Sequence, residues 1–231
     1  KGQKVAAKRA DRDSSEGAVI AKVNDANDTG IIISLNCETD FVAKNESFVA
    51  LANQIATIAL SANTKDELLS SDFENMTVQE KLIEQTGVIG EKLEIGSFER
   101  ISSEFVGSYI HAGNKIATIV GLSNSFDGAS EVAKNVSMQA AAMNPVALDE
   151  NGVSKDVIEK EIEIAKDQLR AEGKPEAMLD NIAKGKLKKF FKENTLVNQA
   201  FIKDNKLSVT DYVKSVNSEC SITDFKRSAL V

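Results

Sequence analysis

The sequence has few of the residues from which catalytic and metal sites are usually built. Its 231 residues include one histidine, two cysteines and no tryptophan. Cys37 and Cys220 are too few for a disulfide framework, and with one histidine they cannot form a four-ligand zinc site. We therefore expect reduced thiols, no bound metal and no cofactor.

Proline and long apolar runs are also scarce. With only 2 Pro and 13 Gly, most of the chain must be helix and strand rather than linker. Apolar stretches such as residues 55–60 are far shorter than the roughly 18 to 20 residues that span a bilayer. We expect no membrane span and, because no Arg-rich transit segment is visible, a cytoplasmic protein. The chain starts at Lys1 rather than Met, so we expect a fragment or a processed piece.

The net charge of −7 repels a phosphate backbone, so we expect no direct nucleic-acid partner. One basic cluster near Phe190 and Phe191 leaves an alternative, because lysines can contact phosphates while aromatic rings stack on bases. The favoured interpretation is that this face neutralises an acidic neighbouring helix, with the phenylalanines in the core. The lysines of the cluster are Lys184, Lys186, Lys188, Lys189 and Lys192.

The hydrophobic pattern predicts an α+β fold with two small antiparallel-sheet and helix subdomains. A β-hairpin is predicted from residues 18–25 and 31–35, with a glycine-containing turn between them. Further helices are predicted at 48–59, 77–85, 129–142 and 208–216, and further strands at 93–101, 104–111, 114–122 and 221–231. The predicted organisation is a linker at 1–16, with a helix tail as the alternative there, an N-subdomain at 17–102, a C-subdomain at 103–150 with 196–231, and an insertion at 151–195.

The insertion is predicted to be an antiparallel helical hairpin of the coiled-coil type. Gly173 follows one amphipathic helix and Pro175 opens the next. Residues 155–172 carry four basic and six acidic side chains, whereas residues 174–192 carry six basic and two acidic. The two arms should therefore attract each other.

No catalytic constellation is visible, so we expect that the protein is not an enzyme. His111 follows a predicted strand beside a turn and has no acidic residue nearby in sequence, which favours a surface or structural role. Cys37 precedes Glu38 and Asp40, whose carboxylates would raise the pKa of the thiol if they lay close to it. An inert thiol is favoured, and a thiol-dependent enzyme using Cys37 is the alternative.

The segment Asn36–Lys44, with sequence NCETDFVAK, is unusual because an aromatic residue follows two acids at a joint between strand and helix. In one interpretation Thr39 or Asp40 caps the helix and Phe41 packs beneath it. In the other, the rigid joint holds Phe41 outward as an interface anchor that loses little entropy on binding. The local pattern alone favours the first.

This segment resembles the signature of the elongation factor Ts family of nucleotide exchange factors. Further landmarks of the family follow in matching order across essentially the whole chain. They are Lys4–Lys8, Ser15–Gly17, Gly107–His111 and Gly173–Pro175. The resemblance implies two α+β core subdomains, a projecting coiled-coil hairpin and an upstream helical domain. It also implies a role in protein biosynthesis, with the GTPase elongation factor Tu as the partner.

The resemblance also assigns functional residues. Asp40 and Phe41 match the positions that enter the partner's nucleotide domain near its magnesium site, with Thr39 and Val42 on either side. Gln139 falls where family members often have His in a helix that approaches the partner's phosphate loop, so it is expected to make a secondary contact. The sequence leaves open a monomer, a homodimer through the hairpin or a heterotetramer.

Overall fold

The computed structural model describes residues 2–230. This part of the chain forms two compact units, residues 2–141 with 220–230, and residues 142–219. It contains both helices and strands, and the strands form small antiparallel sheets, which confirms the α+β prediction. The helices are α1 (Gly2–Arg9), α2 (Asp40–Ala43), α3 (Glu46–Ala59), α4 (Lys65–Ser70), α5 (Val78–Ile89), α6 (Ala129–Met143), α7 (Lys155–Ala171), α8 (Glu176–Asn194) and α9 (Val209–Val216). The strands are β1 (Glu16–Val23), β2 (Thr29–Cys37), β3 (Asp72–Phe73), β4 (Met76–Thr77), β5 (Glu94–Ser102), β6 (Phe105–Ile110), β7 (Ile116–Leu122), β8 (Ala200–Phe201), β9 (Asp204–Ser208) and β10 (Ile222–Ala229).

The first unit contains two antiparallel three-stranded sheets, with strand orders β1-β2-β5 and β10-β7-β6. The predicted hairpin is confirmed, since β1 pairs with β2 from Glu16 opposite Cys37 to Val23 opposite Gly30. The last predicted strand is also confirmed as β10, which pairs with β7.

Apolar clusters lie on both faces of the β1-β2-β5 sheet. Successive residues of a strand point to opposite faces, and here both sets have apolar neighbours. Ile31 and Ile33 share a cluster with Phe48 and Leu51 of α3, whereas Ile32 shares one with Ile119 of β7. This explains the near-continuous apolar run of β2. Residues of the two sheets share one apolar cluster, which includes Ile32 and Ile119. The predicted boundaries of the two subdomains stay a prediction.

Helix α3 buries the face that its sequence period predicts. Its residues Phe48, Leu51, Ala52, Ile55 and Ala59 are all buried. The helix begins at a cap in which Asn45 accepts a hydrogen bond from the backbone N–H of Ser47 at 2.9 Å.

In the second unit, α7 and α8 form the predicted helical hairpin. Pro175 is the N-cap of α8 rather than its first helical residue, and Gly173 turns the chain with φ 77°. Oppositely charged side chains do pair between the arms, as predicted. The charge counts predicted that acids of α7 would pair with bases of α8. Two of the three pairs, Lys166–Asp180 and Arg170–Glu176, instead join a base of α7 to an acid of α8.

The short elements were the ones that the sequence patterns did not reveal. The start of the chain, predicted as a linker, forms α1, while α4 and the β3-β4 and β8-β9 hairpins were not predicted. One or two turns or a two-residue strand contain too few residues to establish a period. Within residues 2–230, no helix has the length and apolar character needed to cross a bilayer.

Candidate functional site

The segment that carries the family resemblance forms a sharp joint between β2 and α2. Thr39 is the N-cap of α2, and its Oγ1 accepts a hydrogen bond from the backbone N–H of Val42 at 3.4 Å. Ala43 is buried, and the half-buried Val42 packs against the core of the first unit. The prediction that Thr39 or Asp40 caps the helix is therefore confirmed, with Thr39 in that role.

Phe41 points away from this core. Its relative exposure is 82%, so the prediction that it packs beneath the helix is wrong. The alternative, a residue held outward, describes its position. An exposed aromatic side chain on an anchored turn has the character of an interface anchor, because it can bury a large apolar area when a partner arrives.

The acid beside Phe41 is ionised and engaged with its own helix. Lys44 Nζ donates to Asp40 Oδ2 at 2.7 Å. This hydrogen bond, together with the charge of Lys44, lowers the pKa of Asp40. Both side chains are exposed, so the pair presents its charges to solvent.

A carboxylate from a distant segment anchors the joint. Glu91 Oε2 accepts hydrogen bonds from the backbone N–H groups of Glu38 and Thr39 at 3.1 and 3.0 Å. Its Oε1 accepts from Thr39 Oγ1 at 2.6 Å. Sequence reasoning missed Glu91, and the available signal was its position directly after Gly90, a residue that ends α5 with φ 83°.

The side chain of Glu38 in turn contacts the segment that follows Glu91, and also Arg9 of α1. Its Oε1 accepts from the backbone N–H of Lys92 at 2.7 Å, and one guanidinium nitrogen of Arg9 lies 2.8 and 2.9 Å from its two oxygens. The backbone N–H of Lys92 is the main cause of a lowered pKa of Glu38, and the hydrogen bond and charge of Arg9 add to it. The segments around residues 38 and 91 therefore hold each other.

Cys37 lies at the end of β2, fully buried, beneath this joint. Its Sγ donates to the backbone carbonyl of Thr39 at 3.2 Å. Burial raises the pKa of Cys37 to about 12, and the charge of Glu91 adds to the effect. The prediction that the pKa of Cys37 is raised is right. The main cause is burial, however, and the carboxylate that adds to it is Glu91 rather than Glu38 or Asp40. A protonated, buried thiol does not act as a nucleophile.

The sequence is similar to a known protein family and to several named relatives. A family model described as Elongation factor TS matches residues 38–230. A protein named Elongation factor Ts from Christiangramia forsetii is 67% identical over 230 residues, covering 100% of this chain and 84% of the relative. Similarly named proteins from Flavobacterium psychrophilum and Porphyromonas gingivalis are 64% and 41% identical over 230 and 233 residues, again covering 100% of this chain and 84% of each relative.

The chain belongs to the elongation factor Ts family. The resemblance inferred from the Asn36–Lys44 segment is therefore confirmed. The family supplies nucleotide exchange factors for elongation factor Tu in translation elongation. The match begins at Glu38, so it includes the exposed aromatic residue and the carboxylate that bonds Lys92.

Two other residues singled out in the sequence lie apart from the exposed segment. Gln139, the expected secondary contact of the elongation factor Ts family, is fully buried in α6, and its role in binding stays a prediction. His111 is exposed at the end of β6, with Nδ1 3.0 Å from the hydroxyl of Tyr109. This agrees with the surface role expected for it.

The basic cluster of α8 does not present aromatic rings for base stacking. Phe191 is buried, and the half-buried Phe190 packs in the same cluster as Ala147 and Val153. Lys186 faces the other arm, 4.0 Å from Glu172. These positions agree with the interpretation favoured from the sequence. Among the described residues, no group of three or more His, Cys, Asp or Glu is arranged to hold a metal ion.

Proposed function

We propose that this chain promotes GDP release from elongation factor Tu by inserting Asp40 and Phe41 into the partner's nucleotide domain near its magnesium site. Phe41 is the wedge, Asp40 lies beside it, and Thr39 and Val42 connect them to the core. The observation that carries the proposal is the 82% exposure of Phe41 on a turn held by hydrogen bonds on its other side.

The anchored turn makes insertion favourable. Ordering a flexible loop costs free energy on binding, and a turn that is already ordered avoids most of that cost. Thr39 caps α2 and donates a hydrogen bond to Glu91, while Ala43 is buried in the core. The contact area of Phe41 can therefore contribute to binding rather than being offset by ordering of the backbone.

The proposed mechanism is a free-energy coupling and requires no bond to be made or broken. An exchange factor binds the GTPase more tightly when nucleotide is absent. Bound nucleotide lowers the affinity of the GTPase for the exchange factor, and the bound exchange factor lowers the affinity of the GTPase for nucleotide by the same factor. The magnesium ion neutralises charge on the bound phosphates. A wedge that shifts the loop supporting this ion weakens nucleotide binding by electrostatics, and GDP leaves faster.

The test is release of a fluorescent GDP from elongation factor Tu with and without this chain. We expect the chain to accelerate release and Phe41→Ala to weaken the coupling by about 1 to 3 kcal/mol, the range for an aromatic interface anchor. The matched control is Val216→Ala, which also shortens an exposed apolar side chain and should retain full acceleration. Unchanged release with the wild-type chain, and again with the upstream helical domain that the family resemblance implies joined to it, would refute the exchange function. Full activity of Phe41→Ala would refute the wedge.

A further inference from the structure

Phe41 lies on a helix that is too short to be stable on its own. Helix α2 spans four residues, Asp40–Ala43. One turn fixes several backbone dihedrals for very few hydrogen bonds, so an isolated turn of this length is unstable in water. The direction of an exposed side chain on such a turn must be set by contacts outside the turn.

Apolar packing anchors only the far side of α2. Ala43 is buried and Val42 packs against the core, which fixes the end of the turn. Phe41, at 82% exposure, contributes little packing of its own. The start of the turn, at Glu38 and Thr39, depends on polar contacts instead.

Glu91 supplies these contacts with a single side chain. Its two oxygens accept three hydrogen bonds from two consecutive residues, the backbone N–H groups of Glu38 and Thr39 and the hydroxyl of Thr39. Thr39 and Glu91 are 52 positions apart in the sequence. Hydrogen bonds to an ionised acceptor are shorter and stronger than neutral ones, so this carboxylate fixes both the path of the backbone and the orientation of the capping side chain.

We propose that Glu91 is a positioning residue for nucleotide exchange, which acts by holding the start of α2 so that Phe41 points outward. This inference rests on the proposed function. It assigns Glu91 no contact with the partner; its effect passes through Thr39 to Phe41. Gly90 makes this possible, because its positive φ of 83° ends α5 and turns the chain to place Glu91 against residues 38 and 39.

The experiment is a double-mutant cycle on the rate of fluorescent GDP release from elongation factor Tu. The chains compared are the wild type, Glu91→Ala, Phe41→Ala and the double variant, with melting temperatures measured for each. If Glu91 acts through Phe41, we expect Glu91→Ala alone to slow stimulated release on the order of tenfold. In the Phe41→Ala background, the same substitution should have almost no further effect.

Glu91→Gln keeps the size of the side chain but replaces one acceptor oxygen with a donor. It decides the question if Glu91→Ala fails to fold, and we expect a loss of about threefold that again disappears with Phe41→Ala. The matched control is Glu74→Gln, at an exposed carboxylate in the turn between β3 and β4, which should retain full activity.

The outcomes separate this inference from the function on which it rests. If the wild-type chain accelerates release but the losses from Glu91 and Phe41 substitutions add, Glu91 is not a positioning residue for Phe41, and the exchange function stands. Full activity of both Glu91 variants overturns the inference in the same way. If release is not accelerated by the wild-type chain, with or without the implied upstream helical domain joined to it, the proposed function itself is refuted.

Discussion

Glu38 and Glu91 each accept a backbone hydrogen bond from the segment that carries the other. Glu91 binds the N–H groups of Glu38 and Thr39, and Glu38 binds the N–H of Lys92 at 2.7 Å. Arg9 of α1 forms an ion pair with Glu38. Two carboxylates can lie in neighbouring segments here because each has donors of its own. These contacts join α1, the segment after α5 and the start of α2.

Glu38 should make the stability of the chain depend on acidic pH. Its pKa lies below the ordinary value of 4.5 in the folded state, so its contribution is present above that value and is lost as the pH falls through the folded pKa. We expect Glu38→Gln to lower the free energy of unfolding by about 1 kcal/mol at pH 7, because hydrogen bonds to a charged acceptor are lost.

Urea denaturation between pH 7 and pH 3 measures this effect. The difference between wild type and Glu38→Gln should shrink as the pH falls below 4.5. Glu74→Gln, at the exposed turn, serves as the control and should differ little from wild type throughout. A difference for Glu38→Gln that stays constant with pH would show that the charge of Glu38 is not what stabilises the joint.

Cys37 should resist alkylation in the folded protein. With a pKa raised from 9.0 to about 12, the thiolate fraction at pH 8 is about a thousandfold smaller than for an unperturbed thiol, before any effect of burial on access. Mass spectrometry after iodoacetamide treatment, with and without urea, measures this. Modification of the native chain as fast as the unfolded chain would contradict the buried position.

The same raised pKa has a consequence at alkaline pH. A folded-state pKa above the unfolded value favours the protonated thiol, so the contribution of Cys37 is present below pH 9.0 and is lost as the pH rises toward 12. We therefore expect the wild type to lose stability at alkaline pH and Cys37→Ala to lose less of it.

Two helical glycines should respond oppositely to alanine. A Cβ on Gly87 in α5 would lie 2.7 Å from Gly2 Cα in α1, whereas a Cβ on Gly185 in α8 would meet nothing within 4 Å. Gly185→Ala should stabilise the helical hairpin by about 0.5 to 1 kcal/mol, the usual gain in helix propensity. Gly87→Ala should be destabilising, because backbone cannot move aside as a flexible side chain can. Thermal unfolding followed by circular dichroism compares the two, and equal gains would show that α1 does not pack closely on α5.

The local sequence pattern predicted the longer elements because their signals arise from neighbouring residues. The period of α3, the turn at Gly173 and the alternation around β1 all reflect contacts within a few positions. Thr39 could be predicted as a cap for the same reason, since its hydroxyl bonds a backbone group three residues later. For Phe41 the same local pattern favoured packing beneath the helix, which is wrong, because contacts outside the segment set the direction of this side chain.

The amino-acid sequence by itself determined the α+β class, the helical hairpin, a helix cap at Thr39 or Asp40 and the resemblance that the family match confirms. Tertiary structure alone decided that Phe41 is exposed, that Gln139 is buried and that Glu91 anchors the joint. The physical reason is range. Propensity, capping and periodicity act over a turn or two of chain, whereas the contact between Glu91 and Thr39 joins residues that only the folded chain brings together.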